Sequence, residues 1–265
     1  MLDMELKDII KNKLEKQPSK KWLYEKCPFS VSKIVELCKA EFNKEKVSKQ
    51  CFEKYYNDES SVYYHKTQQD ILNMWEEKSQ KGKDSGVALD DYIGSILLED
   101  IEQQKYFYDN CVDEKIKLKF DTFKALYEKE FLAKGFEFVC REGILYDDKH
   151  KWKGRYDAIF VKNNTIVLID WKNNEKITTE NAFQNMRGAM YKYPSSDLNG
   201  YTVQIYLYKY ALRHIFGFID YDIKTVICRV GEGEYQFFVP QIEYSDELVE
   251  SILGYAIGEL EKKDK

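Results

Sequence analysis

Gly154 to Lys172 reads GRYDAIFVKNNTIVLIDWK. Two apolar runs, Ala158–Val161 and Thr165–Ile169, flank the turn signal Lys162-Asn163-Asn164. β-Branched and aromatic residues bounded by Asn predict an antiparallel hairpin. The second run is apolar at nearly every position, as expected of a central strand buried on both faces. Charged residues nonetheless bracket the hairpin: Asp157 opens the first strand, and Asp170 and Lys172 close the second. A charge beside a buried strand is costly unless it is paired or holds a metal. Lys172 follows Asp170 by two residues, so on a strand both point to one side. Carboxylates are hard oxygen ligands of the kind Mg²⁺ or Mn²⁺ prefers, and an ammonium beside them suits a cation-assisted reaction at phosphorus.

Outward from the hairpin, the pattern divides in two. Upstream it is mostly helical. Helices are predicted over residues 3–17, after the Ser30/Ser32 capping positions, from about Thr67, over Val87–Gln104 and over 112–134, the last ended by Gly135. Asn57–Ser61 reads as a loop, and the polar, glycine-containing Lys78–Gly86 as a mobile connection. Phe136–Glu142 alternates as a strand. Lys149–Arg155 reads as a basic approach to the hairpin. After Lys172 come a polar connection, a helix over Tyr201–Phe216, strands at Lys224–Arg229 and Tyr235–Val239 around Gly231-Glu232-Gly233, and a helix over 245–262. The expected fold is a mixed α/β (α+β) one, with a central mixed β-sheet flanked by helices and a helical N-terminal half. Residues 1–60 are set apart as a helical extension and 61–265 as the core.

With 265 residues, 43% of them hydrophobic, the chain can bury a full core. It contains no run of eighteen apolar residues, and its first sixteen residues lack the apolar core of a secretory signal, so the expected compartment is the cytoplasm. The six cysteines (27, 38, 51, 111, 140 and 228) include no CxxC pair and read as reduced thiols. Together with three isolated histidines they suggest neither zinc nor an iron–sulfur cluster. A net charge of −5 argues against coating nucleic acid through bulk positive charge, while leaving room for a local basic groove.

One more stretch turns these acids into a constellation. Gln204 and Tyr208 stand one helical turn apart on the predicted helix, and Glu142 ends the preceding strand. Glu142, Gly154-Arg-Tyr-Asp157, Ile169-Asp170-Trp-Lys172 and Gln204-Ile-Tyr-Leu-Tyr208 together resemble the PD-(D/E)xK nuclease superfamily, in its lambda-exonuclease-like and RecB-like branch. The likeness extends over roughly residues 29–218, through Phe29–Ile34, Glu41–Asn43, Tyr64–Trp75 and Arg187–Asn199, which look like phage- and virus-encoded members.

The resemblance implies a restriction-endonuclease-like sheet and a Mg²⁺- or Mn²⁺-dependent deoxyribonuclease. Exonuclease action on duplex ends with little sequence specificity is favoured over endonuclease action. The setting would be phage or viral DNA recombination, replication or processing, in the host cytoplasm. It makes Asp157 and Asp170 metal ligands with the backbone carbonyl of Trp171, and Lys172 the catalytic lysine. Gln204 and Tyr208 would position the DNA backbone or orient that lysine, and Glu142 either faces the site or pairs with Arg141 or Arg155. One departure stands out. Where the branch carries GxxxH followed four residues later by Glu, this chain has Gly86, Asp90 and Gly94, so Asp90 or Asp91 is the candidate replacement ligand.

DNA, as duplex ends or single strands, is the expected partner, with Lys153, Arg155, Arg187 and Lys192 as candidate phosphate contacts. No membrane partner is expected, and an oligomer is compatible with the sequence. The competing readings are an inactive nuclease-fold module that binds DNA or protein, and a hydrolase of another phosphate ester.

Overall fold

The computed structural model describes residues 5–263; positions 3 and 4 of the first predicted helix lie outside them. The hairpin forms as its sequence dictates. Strands Ala158–Lys162 (β5) and Thr165–Lys172 (β6) pair antiparallel about Asn163, whose φ is +53°. They lie in a mixed five-stranded sheet whose other members are Glu137–Arg141 (β2), Asp222–Val230 (β7) and Tyr235–Phe238 (β8), in the order β2-β5-β6-β7-β8. Only β6 and β7 run parallel. They are joined by a crossover containing the helix Asp197–His214 (α8), capped by Ser196.

Both faces of this sheet are covered, so β6 buries every residue from Ile166 to Trp171. The strand's period of two sorts them. Ile166 and Leu168 enter a core shared with Leu6–Glu15 (α1), Val31–Cys38 (α3), α8 and Asp246–Lys263 (α9). Val167, Ile169 and Trp171 enter a second core with Gln68–Leu97 (α5) and Glu114–Leu126 (α7). Asp170 therefore lies on the α8 side, 2% exposed.

Elements absent from the sequence reading are Lys20–Lys26 (α2), Lys44–Tyr55 (α4), and a second sheet of Phe29–Ser30 (β1), Ile144–Asp147 (β3) and Trp152–Arg155 (β4). The basic approach at 149–155 is thus a turn followed by a strand. Trp152 is fully buried there, and its burial outweighs the charge around it. Ile10, Leu14, Val31, Ile34 and Leu37 pack in the same core as β6, so residues 10–38 contribute to the body that carries the hairpin.

The Lys78–Gly86 stretch corrects the expectation of a mobile connection: it is the interior of α5, thirty residues long and opened by a Thr67 capping box with Asp70. It contains no proline. Two glycines cost only about 1 kcal/mol each against alanine, and the strong start and the buried C-terminal half carry the helix through. The helix predicted over 87–104 is likewise broken, at Leu98. Glu99 adopts φ +57° and Asp100 caps Ile101–Asn110 (α6), a stop with neither glycine nor proline to announce it. Among the described residues no helix is long and apolar enough to cross a membrane.

Candidate active site

The charged ends of the hairpin converge beneath a cleft. It occupies about 620 Å³ between α5 and the sheet, and is lined by Asp90, Asp91, Glu142, Arg155, Asp157, Trp171 and Lys172 among others. Asp157 sits in the kink between β4 and β5, where the chain passes from one sheet to the other. Its Oδ2 accepts a hydrogen bond from the Trp171 N–H at 2.7 Å, which ties the kink to the end of β6. Burial pushes the Asp157 carboxyl up to about 8, with the Asp170 charge adding to it and Lys172 opposing.

Asp170 lies deeper. Its Oδ1 accepts from Gln204 Nε2 at 2.9 Å, and its Oδ2 is 2.6 Å from Lys172 Nζ. Burial pulls the Lys172 ammonium down, but the Asp170 and Asp157 carboxylates outweigh it and the net shift is upward. Lys172 is thereby held in its charged form beside the two carboxylates. Its Nζ also lies 4.4 Å from the centroid of the Tyr201 ring, a contact that only an aromatic at that turn of α8 supplies.

Gln204 and Tyr208 share a face of α8, and each holds a different strand. Gln204 fixes the Asp170 carboxylate. Tyr208, 3% exposed, donates from its hydroxyl to the Arg155 carbonyl at 2.8 Å and so anchors the residue two before Asp157. Gly154 makes that approach feasible. A Cβ there would stand 2.6 Å from Val31 Cγ2 and 2.7 Å from Tyr208 Cε1. Gly154→Ala should therefore displace Tyr208 and loosen the kink, costing about 1–3 kcal/mol by overpacking. Chemical denaturation checks the loss, and a denaturation midpoint equal to the parent's would show that the contact yields freely.

The upstream acids are engaged differently. Arg141 Nη2 lies 3.0 Å from Asp90 Oδ2 and donates to the Asp90 carbonyl at 3.2 Å. It also lies 3.6 Å from Glu142, while Arg155 pairs with Glu142 at 3.1 Å. The Arg141 guanidinium rests on bare backbone at Gly94, where a Cβ would fall 1.3 Å from Nη1. So the helix surface at Gly94 is covered by an arginine from β2. In sequence Arg141 stands out only as a neighbour of Glu142, and its spacing gives no sign of a contact 47 residues away in the chain. Burial raises the Asp90 carboxyl, Arg141 lowers it and Glu142 raises it, with a net rise.

Of the candidate phosphate contacts, only Arg155 lines the cleft. Lys153 Nζ donates to the carbonyls of Leu23 and Cys27, and Arg187 donates to those of Lys39 and Glu36, so both brace the N-terminal helices. Lys192 lies over the Tyr191 ring at 5.6 Å.

Two features bear on a divalent cation. Burial and the nearby Asp170 charge push the Asp157 carboxyl up, and the buried Asp170 Oδ2 meets only the Lys172 ammonium, at 2.6 Å. A bound cation relieves both conditions, so these residues fit such an ion. Among the described residues, no group of three or more His, Cys, Asp or Glu side chains stands together as a ready-made ligand set.

A scan against protein-family models finds no match, and neither does a search of curated proteins. Among solved structures, the fold is similar to that of a candidate exonuclease from Eubacterium rectale. That likeness has 12% identity, covers 93% of this chain and 85% of the other, and has a TM-score of 0.47.

Proposed function

We propose that this chain is a metal-dependent deoxyribonuclease that hydrolyses phosphodiester bonds, acting as an exonuclease on duplex ends. The observation that supports it best is the convergence of Asp157, Asp170 and Lys172 at adjoining strand ends, with Gln204 holding Asp170 from α8. The finer placement, in the lambda-exonuclease-like branch and in DNA recombination, replication or processing, rests on the sequence resemblance.

Asp157 and Asp170 would hold Mg²⁺ or Mn²⁺, with the Trp171 carbonyl beside them and Asp90 or Glu142 within the same cleft. The ion supplies a lowered pKa for bound water and charge neutralisation at phosphorus. The chain's own part is positioning. Gln204 and the Trp171 N–H fix the two carboxylates, so that neither must reorganise during the reaction. Lys172, held protonated, presents a compact positive charge to a phosphate oxygen or an attacking water. Arg155 stands at the cleft rim, where it can hold a neighbouring phosphate.

Incubation with 5′- and 3′-labelled linear duplex, single strands and closed circular plasmid tests this. Mg²⁺-dependent shortening of linear duplex, with circular plasmid spared and EDTA abolishing the activity, is expected. Nicking of the circle would overturn the exonuclease assignment, and no cleavage of any substrate would overturn the nuclease.

A second reading has its own support: Arg141 pairs with the upstream acids Asp90 and Glu142. It is a non-catalytic nuclease-fold module that binds DNA. It predicts DNA binding with no metal-dependent cleavage, and Mn²⁺ titration heats that are the same for Asp170→Asn and the parent.

A further inference from the structure

A second cavity, about 1000 Å³, adjoins the catalytic cleft. One wall is a single face of α5: Met74, Glu77, Lys78, Lys81, Gly82, Ser85 and Gly86 recur at helical spacing. The other is formed by residues 113–119, by Glu232 and by the segment 173–176 that leaves the catalytic strand. The two cavities share Lys83, Gly86 and Asn173. Asn173 follows Lys172 directly and spans both walls. Its Nδ2 donates to the Gly82 carbonyl at 2.9 Å, and its Oδ1 accepts from Ser85 Oγ at 3.2 Å and from Lys119 Nζ at 2.5 Å.

The lining is basic in a chain of net charge −5. Six lysines (78, 81, 83, 115, 119 and 176) face four carboxylates. Two of those carboxylates are already committed, Glu175 to Lys78 at 3.0 Å and Glu232 to Lys115 at 3.8 Å. Lys81, Lys83 and Lys176 make no ion pair among the described residues. Small residues on the α5 face leave backbone accessible beside these charges.

Dimensions select the ligand. From Met74 to Gly86 the helix runs about 18 Å, long enough for several successive phosphates of one strand. A volume of about 1000 Å³ over that length is room for the backbone of one strand and not for a whole duplex, whose major groove alone is ~12 Å wide. We propose that this groove holds a single strand of nucleic acid, its phosphates on the α5 lysines, leading into or out of the cleft past Asn173. The proposal rests on the nuclease reading for its purpose, but it is tested by binding alone.

The test measures anisotropy of a labelled 15-nucleotide single strand in EDTA across a salt series. Lys81→Gln, Lys83→Gln and Lys176→Gln combined should weaken binding at least tenfold. They should also flatten the log–log salt dependence by about 2, from three lost contacts at ~0.7 each. Lys20→Gln, Lys21→Gln and Lys26→Gln on α2, which line neither cavity, should leave both quantities unchanged. Parent-like binding by the groove variant, or equal loss from the α2 variant, would overturn the groove. A blunt duplex should lose less than threefold; an equal tenfold loss would overturn the single-strand assignment. If the parent cleaves nothing in Mg²⁺ while the groove variant alone loses affinity, the nuclease reading fails and the groove stands. If the parent cleaves and the variant binds normally, the reverse holds.

Discussion

Lys172→Ala should lower cleavage of labelled duplex at least about 10²-fold, the scale set by removing one preorganised charge from a transition state. The side chain is 16% exposed and its partner, Asp170, 2%, so the substitution also strands a buried carboxylate. Breaking such a pair costs about 3–5 kcal/mol, and lost activity could then reflect lost structure. A second variant separates the two. Lys172→Met combined with Asp170→Asn removes both charges and keeps most of the volume, so its unfolding midpoint should return toward the parent's. Its activity should not return. Recovery of cleavage along with stability would remove both Lys172 and Asp170 from the mechanism. Undiminished cleavage by Lys172→Ala in Mg²⁺ would sink the proposed mechanism outright.

Phe160→Ala should destabilise the fold by about 3–5 kcal/mol, the cost of emptying an aromatic site that cannot collapse. Phe160 is fully buried on the face of β5 away from Asp170. Its ring centroid lies 4.5 Å from that of Phe131, 5.7 Å from Phe138 and 6.4 Å from Tyr127. Against a total stability of about 5–15 kcal/mol that is a large fraction. Urea titration should show a lower midpoint at an unchanged slope, and Phe160→Leu should lose less than about 1.5 kcal/mol. Because Phe160 lines neither cavity, cleavage per folded molecule should persist at low temperature. A loss below about 1 kcal/mol for Phe160→Ala would mean that the second core repacks around the gap.

The hairpin was legible in the sequence because its signals are local: alternation, β-branching and an Asn-rich turn lie within nineteen residues. Period-two geometry likewise placed Asp170 and Lys172 on one side. Other features depend on contacts remote in the chain. β1 is two residues long and exists only because Phe29 and Ser30 meet Trp152 and Lys153. The continuity of α5 through Lys78–Gly86 cannot be seen in a stretch whose composition resembles a linker. Arg141 reveals its place on Gly94 only once β2 and α5 are packed. Gln204 was placed on the correct helix face, but its hydrogen bond to Asp170 is a fact of packing between α8 and β6.

Asp157 stands at the seam between the two sheets, and the seam joins very different spans of chain. On its downstream side β5 and β6 close through a two-residue turn, a contact that forms at little entropic cost. On its upstream side β4 is flanked by β1, whose pairing Phe29↔Trp152 encloses well over a hundred intervening residues. Contacts of such long sequence separation form late and hold only when the intervening chain is in place. The position of one carboxylate therefore reports on the docking of the whole N-terminal third. Damage far from the cleft, anywhere that loosens β1 from β4, reaches the chemistry through the same kink.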